Sequence, residues 1–121
     1  MENMHIGQYV KLEGKDKEKD SVFTVKHLKG EELGTLEVKE IGDEGSELIF
    51  DVTAEKSDKY GEYYVEAIEL AEAHAFKHTD AHSLVYKGND EDVKKYAKEA
   101  GFNEENGKLV IHSHDYSDVR N

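Results

Sequence analysis

The chain has 121 residues, the usual size of one domain, and 36% of them are hydrophobic, which is enough for a compact core. Its 28 acidic and 16 basic side chains give a formal net charge of -12. This charge argues against direct binding to nucleic-acid phosphates, which depends on Lys and Arg. It favours a solvated surface or a protein partner with a basic or amphipathic surface. We expect a single domain over residues 1–121, with flexible ends at 1–7 and 115–121.

The chain contains no cysteine, which excludes disulfides, thiolate metal ligands and a cysteine nucleophile. No run of about 18 apolar residues occurs, so we expect no membrane span. The first residues lack the pattern of a signal peptide, so the sequence predicts an intracellular, cytoplasmic protein.

Alternating apolar and polar residues in the first half of the chain predict β-strands. Charged or glycine-rich segments at 14–20 and 42–47 predict loops between them. Short loops favour an antiparallel meander, and the most apolar strand, LIFDVTA, should lie near the centre of the sheet. The predicted strands are 8–13 (an edge strand), 21–28, 33–41 and 48–54.

The apolar period changes from two to 3.6 after Glu55, which predicts a long helix ending near Thr79. Ser57 or Asp58 is its predicted N-cap. A strand at 83–87 follows, and a helix between two strands favours a parallel pair. The face predicted to be buried comprises Tyr64, Ile68, Ala71, Ala75 and His78.

A second, shorter helix has clear signals at both ends. Asn89 or Asp90 is its predicted N-cap, and Gly101 is the expected left-handed stop, with Phe102 folding back onto the last turn. The dipeptide Asn106-Gly107 then predicts a tight hairpin. The hairpin strands are predicted at 102–105 and 108–114, and the apolar stripe of the helix comprises Val93, Tyr96, Ala97 and Ala100.

This order of a meander, a long helix, a strand, a helix ending in Gly-Phe and a final hairpin resembles the GNAT (GCN5-related N-acetyltransferase) fold. The matching residues are Ala71-Glu72 with Ala75, the segment 84–89, and VKKYAKEAGF at 93–102. The resemblance implies an α/β (α+β) domain whose mixed, mainly antiparallel sheet carries two principal helices. It covers roughly the C-terminal two thirds of the chain.

The resemblance also implies a site for acetyl-CoA, whose pyrophosphate rests in GNAT proteins on backbone N–H groups at the start of the long helix. It places Lys59 at the basic position of that site and leaves Gly61 one residue out of register. The two glycine positions of the family fall on Glu62 and Tyr64, a carboxylate and a phenol ring that would oppose phosphate. If acetyl-CoA binds, Lys59 and Gly61 are the residues implied.

A tyrosine that often protonates the leaving thiolate in the family would fall on Ala97. Its neighbour Tyr96 points about 100° away around the helix. With both sites altered, we expect no catalytic residue, no cofactor and no enzymatic activity, but a small acidic module that binds another protein. The predicted contact residues are Tyr60, Glu62, Tyr63, Glu66 and Glu69.

Three hypotheses for function follow. By size and charge alone, the chain is similar to small acidic phage-encoded inhibitors, which bind and block a bacterial defence enzyme. The alternative is a divergent GNAT N-acetyltransferase that uses acetyl-CoA. A DNA-mimic protein is the third, because the negative charge is spread along the chain.

Two groups of histidines have spacings that could suit a metal. His74, His78 and His82 are spaced i, i+4, i+8, but His82 should lie beyond the helix. His112 and His114 share one face of a predicted strand, where the spacing implies no third ligand. We therefore interpret both groups as packing residues and predict no metal site.

Overall fold

A computed structural model describes residues 4–16, 19–42, 45–55, 60–79 and 81–116. Within them, eight strands form one sheet, in the order β1-β2-β3-β4-β5-β6-β8-β7, and two helices pack on it. The strands are β1 Met4–Ile6, β2 Val10–Asp16, β3 Lys19–His27, β4 Glu32–Glu40, β5 Gly45–Val52, β6 Ser83–Tyr86, β7 Asn103–Glu105 and β8 Lys108–His112. The helices are α1 Gly61–His78 and α2 Glu91–Glu99.

The sheet is mixed and mainly antiparallel, as predicted. β5 and β6 are its parallel pair, and α1 connects them. β5 is also the fifth strand in the order, so the most apolar predicted strand does lie near the centre. The fold class is therefore confirmed.

The N-terminal part of the sheet differs from the prediction. Met4–Ile6 forms β1, a strand that the sequence pattern did not indicate. β1 pairs with β2, so the strand predicted at 8–13 as an edge strand lies between β1 and β3, and that prediction was wrong. The cause is non-local: His5 of β1 forms a hydrogen bond with His74 of α1, with 3.0 Å between Nε2 and Nδ1.

The two predicted loops are shorter than expected. β2 extends to Asp16 and β3 begins at Lys19, so only residues 17–18, outside the described part of the chain, lie between them. Backbone pairing continues to the end of both strands, where Asp16 pairs with Lys19. Likewise, β5 begins at Gly45, because Gly45–Leu48 pairs with β4 or β6 on each side.

The second helix and the hairpin are confirmed in detail. The Asp90 carboxylate accepts hydrogen bonds from the N–H groups of Asp92 and Val93, at 2.9 and 3.2 Å. Gly101 has φ 107°, and the N–H of Phe102 donates to the carbonyl of Ala97, which together make a Schellman stop. Asn106 and Gly107 both have positive φ, as a two-residue hairpin turn requires.

Both helices cover the same face of the sheet. The core between them combines alternate residues of the strands with one face of each helix. On α1, Tyr64, Ile68, Ala71 and Ala75 are buried as predicted, and on α2 the buried residues are Val93, Tyr96, Ala97 and Ala100. After β8, a short 3₁₀ turn at Ser113–Asp115 brings Tyr116 against Phe76, with ring centroids 5.5 Å apart. Of the tail predicted to be flexible, Asp115 and Tyr116 belong to the described residues, and residues 117–121 lie outside them.

Candidate functional site

β6 ends before β5 does. Its four residues, Ser83–Tyr86, pair with Gly45–Leu48, whereas β5 continues from Ile49 to Val52 along β4 only. Among the described residues this last part of β5 is therefore open on one side, and the carboxyl ends of parallel strands are a common place for ligands in α/β sheets. Tyr64 of α1 lies against Phe50 in this part of β5.

Aromatic side chains occupy the inner part of this opening. The Tyr64 ring is fully buried and lies 6.2 Å from the ring of Phe50 on β5 and 5.2 Å from that of Tyr96 on α2. Its hydroxyl donates a hydrogen bond to the carbonyl of Glu55 at 2.6 Å. Burial raises the pKa of Tyr64 to about 12, with smaller contributions from Tyr96 and Tyr60, so Tyr64 stays a proton donor at neutral pH.

The N-cap residue of α1 is Tyr60, whose side chain forms no capping hydrogen bond. The predicted N-caps Ser57 and Asp58 lie outside the described residues, and Tyr60 takes the N-cap position instead. The N-cap of α2, by contrast, is Asp90, whose side chain caps the helix. N–H groups of a first turn that the N-cap side chain does not bind can bind other acceptors, such as water or an anionic ligand.

A cavity of about 580 Å³ opens beside this helix start, between α1, α2 and the segment before β2. Gly61 lies on its wall, and an ideal Cβ at Gly61 would stand 3.9 Å from Cε1 of Tyr96. Four carboxylates, but only one lysine, also line it; these residues are Glu62, Glu66, Glu69, Glu99 and Lys95.

One of these carboxylates is held by the backbone. The Glu66 carboxylate accepts hydrogen bonds from the N–H groups of Gln8, Tyr9 and Val10 at 2.9, 2.7 and 2.9 Å. The Glu66 carboxyl group also leaves no room for a side chain at Gly7. The carboxylate is therefore solvated by three backbone N–H donors, and these hydrogen bonds hold the start of β2 against α1.

The residues implied for acetyl-CoA are placed as follows. Gly61 lies in the first turn of α1 at the cavity, and Lys59 lies outside the described residues. Ala97, at the family's tyrosine position, is fully buried, whereas Tyr96 lines the cavity. The residue with a hydroxyl group next to Gly61 is therefore Tyr96. From helix geometry alone, Tyr96 was expected to point away from the site.

The predicted partner-contact residues lie together around the first turns of α1. Glu62 is exposed, while Tyr60, Tyr63, Glu66 and Glu69 are half-buried. Tyr63 packs between aromatic rings, 4.9 Å from His27 and 5.5 Å from Tyr60, and Glu66 is held by the backbone of β2. Contact with a protein partner through this group stays a prediction.

The histidines form two pairs rather than a metal centre. His74 is buried against His5 and Phe23, and His82 is exposed. The rings of His112 and His114 stack 5.5 Å apart, and Nε2 of His112 lies 2.9 Å from Glu105. Within the described part of the chain, no group of three or more His, Asp or Glu side chains could hold a metal ion.

Some residues of the site were missed by sequence reasoning. Gln8 and Tyr9 reach the cavity only because β2 docks on α1, more than fifty residues later in the chain. Lys95 and Glu99 could have been found, because they share one side of α2 with Tyr96 at i, i+1, i+4 spacing.

Comparison with solved structures gives matches to acetyltransferases. The N-terminal domain of ribosomal-protein-alanine acetyltransferase from Clostridium acetobutylicum matches with a TM-score of 0.75 and 14% identity, over 93% of this chain and 98% of that one. Spermidine N-acetyltransferase from Vibrio cholerae, in complex with CoA and spermine, matches with a TM-score of 0.64 and 21% identity. That match covers 78% of this chain and 66% of the Vibrio protein.

No protein-family model and no curated protein matches the chain. No helix among the described residues is long and apolar enough to cross a membrane. The neighbours give no support to the hypothesis of a phage-type inhibitor, and they agree with the resemblance drawn from the sequence. The chain therefore has a GNAT-like fold.

Proposed function

We propose that this chain is a divergent GNAT-type N-acyltransferase that uses acetyl-CoA. The observation that carries the proposal is the cavity beside the start of α1, which Gly61 and Tyr96 line and where the N-cap side chain of Tyr60 forms no capping hydrogen bond. The similarity to acetyltransferases over 93% of the chain supports it.

The residues around the helix start fit the anionic part of the cofactor in three respects. The N-cap side chain of Tyr60 accepts no hydrogen bond from the first turn of α1, and a helix start favours negative charge. Gly61 presents no side chain to the cavity. The cavity volume of about 580 Å³ lies within the range of roughly 300–1,000 Å³ that small-molecule sites occupy.

The carboxylates of the cavity oppose a phosphate less than their number suggests. Glu66 is neutralised by three backbone donors, and the side chains of Glu62 and Glu99 are exposed and can turn to solvent. Of the charged residues on the wall, this leaves one carboxylate, Glu69, and one lysine, Lys95.

Acetyl-CoA would supply an acetyl thioester. A neutral amine would form the new C–N bond as the C–S bond breaks, and it would give up one proton to solvent water. The Tyr96 ring lies beside Gly61, where its hydroxyl would hold the proton that the departing sulfur takes up. The net charge of -12 would attract a positively charged acceptor molecule. We therefore propose a primary amine on a cationic molecule as the acceptor, the class to which spermidine belongs.

The test is release of CoA thiol from acetyl-CoA with spermidine, or with a basic peptide that begins with Ala, as acceptor. Gly61→Leu should abolish turnover by placing a side chain at the helix start where phosphate would bind. The fold should remain, because a Cβ at Gly61 would lie at an ordinary contact distance of 3.9 Å from Tyr96. Tyr96→Phe should lower kcat by roughly 10²-fold or more while KM for acetyl-CoA changes little. No thiol release above the uncatalysed rate with either acceptor would refute the proposal.

A second candidate is the protein-binding module without chemistry, including an inhibitor of a host enzyme. The specific observation in its favour is Tyr64, which fills the inner opening between β5 and β6 and leaves less room for a cofactor. Its surface would be the group Tyr60, Glu62, Tyr63, Glu66 and Glu69. This candidate predicts no response to acetyl-CoA and a stable complex with a protein that carries a basic surface.

A further inference from the structure

The other side of α2 carries a second cavity of opposite charge. Its volume is about 240 Å³, and it lies between the loop after β6, α2 and the hairpin of β7 and β8. Four lysines line it against a single carboxylate, Glu104. We call this group the lysine pocket, and its lysines are Lys87, Lys94, Lys98 and Lys108.

The pocket is exceptional in a chain whose net charge is -12 and which has only 16 basic residues. Lys94 has an ion pair, 3.4 Å from Glu91. Lys87, Lys98 and Lys108 form none with the described residues, so the positive charges that line the pocket outnumber its one carboxylate, Glu104. Like charges held close together repel, and a bound anion would relieve that repulsion.

Two glycines shape the pocket. A Cβ at Gly88 would overlap the hydroxyl of Tyr86, so the loop after β6 lies directly against that buried ring. Gly107 in the hairpin turn has φ 81° and open space around it. One wall of the pocket is therefore backbone packed closely on Tyr86, and the hairpin turn on the other side is open.

We propose that the lysine pocket binds a phosphate or diphosphate group of a small solute. Its volume corresponds to roughly eight water molecules at about 30 Å³ each, which suits one or two phosphate groups but not a whole cofactor. Lysine is a common partner of phosphate, as a point charge with several donors. A nucleic acid fits less well, because its backbone would have to pass over the acidic remainder of the surface.

This site is separate from the cavity at Gly61. Lys94 and Lys98 face the lysine pocket, whereas Lys95 and Glu99 line the acidic side of the same helix. The proposal thus goes beyond acetyl transfer and does not require it.

The experiment is a titration of the whole chain with inorganic pyrophosphate at 0.15 M salt, followed by amide NMR. Saturable shifts are expected at the amides of Gly88, Asn89 and Gly107. The double variant Lys98→Gln with Lys108→Gln should weaken the affinity about fivefold or more. The matched control is Lys29→Gln with Lys39→Gln, two exposed lysines outside the pocket, which should change the affinity less than about twofold.

Equal weakening in both double variants would overturn the proposal, because it would show a diffuse response to net charge. Shifts at Gly88, Asn89 and Gly107 that do not saturate, or the absence of shifts at these three amides, would overturn it as well. Gly61→Leu should bind pyrophosphate as the parent chain does, so failure of acetyl-CoA binding and failure of this site are distinguishable. Inorganic phosphate in place of pyrophosphate then shows whether one phosphate group is sufficient.

Discussion

Replacing Glu66 by Ala should be the most destabilising single change at the surface of this protein. The carboxylate accepts three backbone hydrogen bonds at 2.7–2.9 Å, from Gln8, Tyr9 and Val10. A hydrogen bond to a charged group is worth about 1.5–3 kcal/mol, but the exposed Gln8 amide regains water when the carboxylate is removed. We therefore expect a loss of about 3 kcal/mol in the free energy of unfolding.

For 121 residues, an unfolding entropy of about 2.1 cal/mol/K per residue converts this loss into a midpoint about 12 °C lower. The assay is thermal unfolding followed by circular dichroism, with amide hydrogen exchange at Gln8, Tyr9 and Val10. Glu66→Gln should lose about half as much, because one oxygen can still accept hydrogen bonds.

The matched control is Glu99→Gln, which removes a carboxylate from the wall of the same cavity. Glu99 has no hydrogen bond or ion pair with the described residues, so the change should stay within about 0.5 kcal/mol. If Glu66→Ala unfolds within 1 kcal/mol of the parent chain, or if the three amides keep their protection, the reasoning is wrong.

The remaining predictions concern the buried tyrosine and the ends of α2. The pKa of Tyr64 is raised from 10.0 to about 12, so its protonated form stabilises the folded state fully below pH 10, and this stabilisation is lost as pH rises to 12. The loss in the free energy of unfolding is at most about 3 kcal/mol. Tyr64→Phe should flatten this alkaline part of a curve of stability against pH. Asp90→Ala should lower the free energy of unfolding in urea by about 1 kcal/mol, because two N–H groups lose their acceptor. Asp90→Asn should retain most of the stability, because its side-chain oxygen can still accept. Gly101→Ala should cost about 1 kcal/mol as well, because φ 107° is strained for a side chain; an unchanged midpoint in either variant would contradict the assigned cap or stop.

The sequence could predict the C-terminal part of the fold because its signals are local. The cap Asp90, the stop Gly101 and the turn Asn106-Gly107 each act within a few residues, and all three are found as predicted. The parallel pairing of β5 and β6 followed from the helix between them. These elements need no knowledge of distant contacts.

The N-terminal part could not be predicted in the same way, because distant contacts determine it. β1 has three residues, too few to show a period, and its position is fixed by the contact of His5 with His74. The cavity likewise depends on Glu66 reaching the backbone of Gln8 across 58 positions. The opposite charges of the two cavities could not be predicted either, because Lys94 and Lys98 of α2 line one cavity and Lys95 lines the other.

The measurement that tests the central claim most directly is thermal unfolding with and without acetyl-CoA, on the parent chain and on Gly61→Leu. A ligand at about 1,000 times its dissociation constant stabilises the folded state by about 4 kcal/mol, a midpoint rise on the order of 15 °C for this chain. The account predicts such a rise for the parent chain and none for Gly61→Leu. No rise in the parent chain at millimolar acetyl-CoA, or an equal rise in the variant, would contradict a cofactor site at the start of α1.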